Sequence, residues 1–145
     1  MFIARILGTR CRPACRPHLF LGWRGERAAA RYLKRRGYRI LARNFRRGRG
    51  EIDLIALDRD TIVFVEVKTR TTDERDGPPD VARRIQWPHI VHAARQYLRR
   101  CRAENRPCRF DVVVVSWPRR GRPIVEHFEN VHAPATGRSG ISCRR

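Results

Sequence analysis

The stretch from Gly50 to Arg70, GEIDLIALDRDTIVFVEVKTR, most constrains the fold of this chain, because it places acidic residues among apolar ones. Apolar side chains alternate between two faces on either side of the polar segment Asp58-Arg59-Asp60. Alternation with a period of two on both sides of a short polar segment is typical of a β-hairpin. The sequence therefore predicts two antiparallel strands joined by a tight turn.

The register of this hairpin decides which ionisable groups meet. Its loop holds an even number of residues if it consists of either Arg59-Asp60 or Asp58 to Thr61. With an even loop, Asp53 lies directly opposite Glu66 on the same face of the sheet. Lys68 shares that face with Glu66, because side chains alternate along a strand. We therefore expect three ionisable groups to converge on an otherwise apolar patch.

Two neighbouring carboxylates near a buried surface repel each other and require a cation to neutralise them. Lys68 is one such cation, and a divalent metal ion is another. The alternative is a structural ion pair between Glu66 and Lys68, with Asp53 exposed at an edge. Spacing alone leaves both interpretations open, since structural networks also perturb carboxylates.

The charge of the chain indicates a polyanionic partner. The 145 residues have the length of one domain, and 33 Lys and Arg against 14 Asp and Glu give a formal charge of +19. Such an excess favours nucleic acid first and an anionic membrane surface second. The excess of Arg over Lys suits bidentate phosphate contact, although high-GC codon usage gives the same bias.

Residues 1–21 and the cysteines bear on the location of the protein. No apolar run approaches the ~20 residues needed to cross a bilayer, so we expect a soluble protein without a membrane partner. Residues 1–21 form a poor secretory signal, because Arg5 interrupts their apolar start. We expect a disordered basic arm; a transit peptide or an upstream start codon read in error are the alternatives.

Five scattered cysteines favour a reducing compartment, and hence the cytoplasm.

A helix is predicted from Gly22 to Arg36, with Gly37 in the position of a left-handed C-terminal cap. Glu26 falls on the apolar side of this helix. That side is formed by Ala29, Ala30 and Leu33. Glu26 is either a site residue that points toward the sheet or a first-turn Glu favoured by the helix dipole.

The remaining elements complete an α/β domain. Residues 46–50 are expected to form a flexible basic loop, which suits phosphate contact or an ordinary solvated turn. Residues 71–80, TTDERDGPPD, form a predicted loop and candidate lid. The other predicted elements are a strand at 38–45, a helix beginning near Trp87, a central strand at 110–117 covered on both faces, and an edge strand at 124–128. The predicted elements follow the order helix, three strands, helix and two strands, which indicates a single α/β domain with a mixed β-sheet flanked by helices. This domain would span residues 22–130, and residues 131–145 would form a disordered tail.

Four motifs in this order carry a family resemblance: GERAAARYLKRRGY, RNFRRGRGEIDLIALD, VFVEVKTR and RFDVVVV. They resemble the bacterial YraN family of endonuclease-like proteins, which is similar to archaeal Holliday-junction resolvases within the PD-(D/E)xK nuclease superfamily. The resemblance covers roughly Gly22 to Asn130. It implies a restriction-endonuclease-like αβββαβ core.

The resemblance also implies roles for individual residues. Asp53 and Glu66 would hold Mg²⁺ or Mn²⁺, Lys68 would be the active-site lysine, and Glu26 would contact the metal or water. The sequence departs from the family in two places. Ile52 stands where the superfamily name expects Pro, and Gln86 stands about where YraN-like sequences often carry Lys.

The implied function is metal-dependent endonuclease action on DNA, with branched or junction DNA as the substrate suggested by analogy. A two-fold junction would favour a homodimer. The candidate nucleic-acid contacts are Arg46, Arg47, Arg49, Arg70 and Gln86. The main alternative is a non-catalytic nucleic-acid-binding protein on the same fold, and a further one is a basic ribosome-associated or membrane-surface protein.

Overall fold

The structure, a computed structural model, describes residues 17–71 and 85–132. Its elements are α1 (Pro17–Arg35), β1 (Arg39–Arg47), β2 (Gly50–Asp58), β3 (Thr61–Thr71), α2 (Trp87–Arg100), β4 (Cys108–Trp117) and β5 (Ile124–His132). The predicted order of helix, three strands, helix and two strands is confirmed. The chain is an α/β domain with the element order expected of a restriction-endonuclease-like core.

The five strands form one mixed sheet in the order β1-β2-β3-β4-β5. Strands β3 and β4 pair in parallel, and the other three neighbouring pairs are antiparallel. A parallel pair needs a crossover connection, and α2 lies within the one that joins β3 to β4. Strand β4 has neighbours on both sides and is buried on both faces, as its run of valines predicted.

The two helices cover opposite faces of the sheet. The α1-side core joins α1 to residues such as Leu54, Val65 and Val113. The α2-side core joins α2 to residues such as Ile55 and Phe64. Each face therefore buries the apolar stripe of one helix, and the sheet is the middle of three layers.

Helix α1 ends as the sequence predicted. Gly37 has φ +90°, the amide of Gly37 donates to the Lys34 carbonyl, and the amide of Tyr38 donates to the Leu33 carbonyl, both at 3.0 Å. This is the left-handed glycine cap. The start of α1 differs from the prediction, because the helix begins at Pro17 and includes residues that were assigned to the basic arm. Proline suits a first helical turn, where its missing amide hydrogen has no partner to lose.

The predicted basic loop at 46–50 is corrected by the structure. Strands β1 and β2 pair up to Arg46 with Glu51 and Arg47 with Gly50, so only Gly48 and Arg49 form the turn. Gly48 has φ +57°, which glycine adopts at no steric cost. The basic side chains of this region are therefore fixed at a strand end instead of lying on a flexible loop.

The end of the sheet also extends beyond the prediction. Strand β5 continues to His132, so Val131 and His132 belong to the sheet instead of the expected tail. Strand β3 reaches Thr71, the first residue of the predicted loop. The rest of that candidate lid, residues 1–16 of the expected arm and residues 133–145 of the expected tail lie outside the described residues.

Candidate functional site

The β2–β3 hairpin has the two-residue loop Arg59-Asp60, one of the two loops that the alternation allowed. Cross-strand pairing runs from Asp58 with Thr61 to Leu54 with Val65. Asp53 and Glu66 are the next residues along the two strands. The hairpin therefore carries these two carboxylates to the same end of its paired segment.

Strand β2 changes face at Asp53. Ile52 belongs to the α2-side core and Leu54 to the α1-side core, although residues two apart in a regular strand share a face. At this point the amide of Val67 donates a 2.7 Å hydrogen bond to Oδ2 of Asp53. The Asp53 carboxylate thus accepts a main-chain hydrogen bond from β3 and lies between the two strands.

Glu26 reaches this region from α1. Its Oε2 accepts a 2.8 Å hydrogen bond from Nδ2 of Asn44. Asn44 lies in β1 between the residues that pair with Ile52 and Leu54, so it is alongside Asp53. Its φ of +48° is in the left-handed region, which asparagine tolerates better than most residues. Sequence analysis missed Asn44, because an asparagine within a predicted strand gives no signal of this contact.

Glu66 and Lys68 form an ion pair on one face of β3. Lys68 Nζ lies 2.8 Å from Glu66 Oε1, as the period of two predicted. The Glu66 side chain is 16% exposed and the Lys68 side chain 40% exposed. The carboxylate is therefore the more buried partner, and the ammonium group faces solvent at the rim of the site.

The electrostatics of Asp53 show that these elements converge. Burial raises the pKa of Asp53 to about 7, and the charge of Glu66 contributes most after burial. Glu26 and Glu51 raise this pKa further, while the Val67 amide lowers it. Three acidic side chains from α1, β2 and β3 therefore act on Asp53; we call Glu26, Glu51, Asp53 and Glu66 the carboxylate cluster.

The carboxylate cluster has the donor chemistry of a hard divalent cation. Among residues 17–71 and 85–132, no three His, Cys, Asp or Glu side chains are arranged closely enough to hold a metal ion by themselves. Mg²⁺ is commonly held by one or two carboxylates and keeps several waters. The pair Asp53 and Glu66 fits that requirement in number and type, and a cation would relieve the repulsion that raises the pKa of Asp53.

The predicted nucleic-acid contacts occupy different environments. Arg46 pairs with Glu51 at 2.7 Å near the turn of the β1–β2 hairpin, and both side chains are exposed. Arg49 is exposed in the β1–β2 turn, and Gln86 is exposed directly before α2, where its side chain makes no capping hydrogen bond. Arg70 is instead 18% exposed, with Nε 2.9 Å from Ser116 Oγ and an ion pair to Glu126 at 3.0 Å. Arg70 therefore links three strands of the sheet.

Arg47 lines a surface cleft that the sequence did not reveal. The cleft has a volume of about 480 Å³, and its other lining residues are Gln96, Arg99 and Arg100 from α2. The three guanidinium groups and the NH2 group of Gln96 can all donate hydrogen bonds to phosphate oxygens. The end of β1 and the last turns of α2 thus form a basic cleft.

A buried ion network lies near the loop end of the hairpin, where it includes Asp58. Asp111 is fully buried and accepts hydrogen bonds from Arg109 Nε at 3.1 Å and from the Asn130 amide at 2.9 Å. Its Oδ2 lies 2.9 Å from Nε2 of His127, and Arg109 also reaches Asp58 at 3.0 Å. Asp111 joins β4 to β5 through His127 and Asn130, which are 16 and 19 residues away and therefore too distant in sequence to be predicted from spacing.

Fold and site together define an α/β domain in which a helix carboxylate, a strand aspartate, a strand glutamate and a lysine meet at one end of a hairpin. The model of the family described as "Uncharacterised protein family UPF0102" matches residues 25–115. The chain belongs to this family. The matched segment runs from α1 to β4 and contains Glu26, Asp53, Glu66 and Lys68.

Individual relatives agree with this assignment. A UPF0102 protein of Chlorobium phaeobacteroides is 44% identical over 99 residues, covering 68% of this chain and 77% of the relative. One from Rhodopirellula baltica is 46% identical over 114 residues, covering 76% and 68%. One from Oleidesulfovibrio alaskensis is 41% identical over 132 residues, covering 91% of this chain and 65% of the relative. The described part of the chain contains no helix with the length and apolarity of a membrane span.

Proposed function

We propose that this protein is a metal-dependent endonuclease that hydrolyses phosphodiester bonds in DNA in the cytoplasm, with Mg²⁺ or Mn²⁺ held by Asp53 and Glu66. One observation carries the proposal: the register of the hairpin places Asp53 and Glu66 at the same end of its paired segment, where the charge of Glu66 raises the pKa of the half-buried Asp53. A protein that only binds a polyanion gains nothing from clustered carboxylates, because they repel phosphate. A site that holds a divalent cation against phosphate needs them.

Phosphodiester hydrolysis needs neutralised non-bridging oxygens, an activated water and a stabilised leaving oxygen. A bound divalent ion would supply charge neutralisation at the phosphate. Lys68, whose ammonium group is at the rim and paired with Glu66, would donate to a phosphate oxygen or orient the attacking water. Glu26, held by Asn44, would accept a proton or a hydrogen bond from that water.

DNA binding is supported by the net charge of +19 and by basic side chains on the surface. The basic cleft of Arg47, Arg99 and Arg100 and the exposed Arg49 would contact phosphates without reading sequence. Branched or junction DNA, and a homodimer to match a two-fold junction, follow from the family resemblance and form part of the proposal.

A non-catalytic nucleic-acid-binding protein is the second candidate, and the ion pair of Glu66 with Lys68 at 2.8 Å favours it, since the pair neutralises Glu66 without a metal ion. If this second function is correct, the affinity for DNA should be independent of Mg²⁺ and unchanged when Glu66 is replaced. If the protein instead binds ribosomes or membrane surfaces through its charge, its binding to that ligand should likewise be independent of Mg²⁺ and should persist without Glu66.

The test is cleavage of end-labelled linear, flap and four-way-junction DNA by the purified full-length chain. Each substrate is incubated with Mg²⁺, with Mn²⁺ and with a chelator. The proposal predicts cleavage with either ion and none with the chelator. Binding of all three substrates without cleavage under every condition would favour the non-catalytic protein.

A further inference from the structure

Two aromatic side chains are exposed at the start of α1. Phe20 is 52% exposed and Trp23 is 44% exposed. Their ring centroids are 6.0 Å apart and their planes are inclined by 29°, so the two rings form one stacked surface. Among the described residues, one other large apolar side chain is comparably exposed, and it belongs to Ile124 at the start of β5. An aromatic pair left in solvent indicates a surface that contacts a partner.

Guanidinium groups surround this aromatic pair. The Arg27 guanidinium carbon is 4.6 Å from the centroid of the Trp23 ring. Arg24 is 5.8 Å from the centroid of Phe20 and 4.1 Å from that of Trp117. These are cation–π distances, which hold the charged groups beside the rings. The surface therefore combines flat apolar faces with fixed positive charge, and we call Phe20, Trp23, Arg24 and Arg27 the aromatic-basic surface.

The aromatic-basic surface adjoins the candidate site. Trp23 precedes Glu26 by three residues, which is about one turn of helix. Between them, Gly25 packs so closely on β3 that a Cβ atom would collide with the Thr69 side chain. Thr69 follows Lys68 directly in the strand. A DNA strand whose phosphate lies at Lys68 and Glu26 would therefore pass within a few nucleotides of Trp23.

We propose that the aromatic-basic surface binds unpaired nucleobases of the DNA strand at the candidate site, an inference that rests on the proposed function. Bases stack on aromatic rings whatever their identity, and arginines beside the rings contact the backbone, as in proteins that bind single strands. The charge of +19 makes a polyanion a better match for this surface than an ordinary protein partner.

This assignment has a consequence for substrate choice. In a continuous duplex the bases are stacked on each other and their faces are inaccessible to the rings of Phe20 and Trp23. Flaps, gaps and branch points offer unpaired bases beside duplex DNA. The aromatic-basic surface would thus select DNA with an unpaired segment next to the cleaved bond, through contacts that are independent of the metal site.

The test measures binding by the full-length chain in a chelator, so that cleavage plays no part. Fluorescence anisotropy is recorded with labelled oligothymidine and with a duplex of the same length. The double variant Phe20→Ala with Trp23→Ala should bind oligothymidine about tenfold or more weakly, because the bases lose both rings on which they stack. Its affinity for duplex should change less than about twofold. Trp23→Phe should retain most of the binding, and Ile124→Ala is the matched control for loss of exposed apolar surface.

Equal losses for both ligands, or no loss for either, would overturn the inference and assign the rings to another partner. A second measurement avoids dependence on variant folding: oligonucleotides carrying 5-bromodeoxyuridine are crosslinked to the unaltered protein with ultraviolet light. Crosslinks should map to the peptide that contains Phe20 and Trp23, and crosslinks only to other peptides would contradict the inference. If the protein binds oligothymidine selectively but cleaves no DNA, the proposed nuclease function is wrong and the inference about the aromatic-basic surface stands. If it cleaves DNA but shows no selective binding, the inference about the aromatic-basic surface is wrong and the proposed function stands.

Discussion

The amide of Val67 donates a 2.7 Å hydrogen bond to Oδ2 of Asp53, joining neighbouring strands at the point where their regular pairing has ended. This bond holds the carboxylate near Glu66 although burial and charge repulsion oppose its ionisation. The hydrogen bond favours the ionised form, and it is weaker than the two opposing effects. The fold thus keeps a carboxylate in place at an energetic cost, which is a common property of functional sites.

The pH dependence of stability should report this cost. Asp53 has a pKa of about 7 in the folded chain against 3.8 for an unperturbed Asp, so the folded protein binds this proton more tightly. Its stabilising effect is complete below about pH 4 and is lost as the pH rises through 7. We expect Asp53→Asn to be more stable than the original protein by roughly 1–3 kcal/mol above pH 7 without metal, with the difference vanishing near pH 4. Urea unfolding at several pH values measures this.

Asp60→Asn, which removes an exposed carboxylate from the loop of the same hairpin, is the control and should leave the pH profile unchanged. A stability difference between Asp53→Asn and the original protein that is equal at pH 4 and pH 8 would contradict the assigned electrostatics of the cluster.

Substitution of Glu26 separates a helix-end residue from a site residue. Glu26→Gln keeps the size of the side chain and an acceptor for Asn44 while removing a negative charge next to Asp53. We expect Mg²⁺ to be required at several-fold higher concentration for half-maximal cleavage and turnover to fall, with stability changed by only a few tenths of a kcal/mol. Glu104→Gln, an exposed acid far along the chain, is the control. If the Mg²⁺ titration curve of Glu26→Gln superimposes on that of the original protein, Glu26 is a structural helix residue.

The basic cleft should determine the salt dependence of DNA binding. Replacing Arg47, Arg99 and Arg100 by Gln should reduce the slope of log affinity against log salt by up to about three, since each lost phosphate contact contributes nearly one. Arg70→Gln should leave the slope unchanged and lower stability, because Ser116 and Glu126 already bind Arg70. A triple variant with the original slope would show that the backbone passes elsewhere.

The buried network around Asp111 should contribute to stability and not to cleavage. Asp111→Ala leaves Arg109 without its most buried partner and should cost roughly 3–5 kcal/mol in the free energy of unfolding. Cleavage per folded molecule should stay at the original level, because the network is separate from the carboxylate cluster. Calorimetry and activity measured on the same sample test both statements, and loss of activity in fully folded protein would give Asp111 a role in the reaction.

Patterns of short range predicted much of the site. The cap at Gly37 was predicted outright, and the two-residue loop of the hairpin and the ion pair of Glu66 with Lys68 were each one of two alternatives that alternation within a few residues allowed. The sequence placed Glu26 on the apolar side of α1 but left open whether it is a site residue. In the structure the charge of Glu26 acts on Asp53.

Features that depend on distant residues were not predictable. Asn44 contacts Glu26 only because β1 turns through a left-handed residue beside Asp53, and no local pattern indicates that conformation. Arg70 was predicted as a nucleic-acid contact, and no local pattern indicated the partners that β4 and β5 supply to it. The extent of β5 was underestimated because its outer residues Glu129, Asn130 and His132 are polar and carry little periodic signal. The start of α1 was missed because the short segment from Pro17 to Leu21 was assigned to the basic arm that precedes it.

Metal-dependent cleavage by carboxylate variants tests the central claim most directly. Asp53→Asn and Glu66→Gln, with Asp60→Asn as the matched control, are compared with the original protein on flap and junction DNA at several Mg²⁺ concentrations. The account predicts that the first two variants lose cleavage while binding DNA as well or better, because a negative charge next to the phosphate has been removed, and that the control cleaves normally. Cleavage at the original rate by both Asp53→Asn and Glu66→Gln would contradict the assignment of this site.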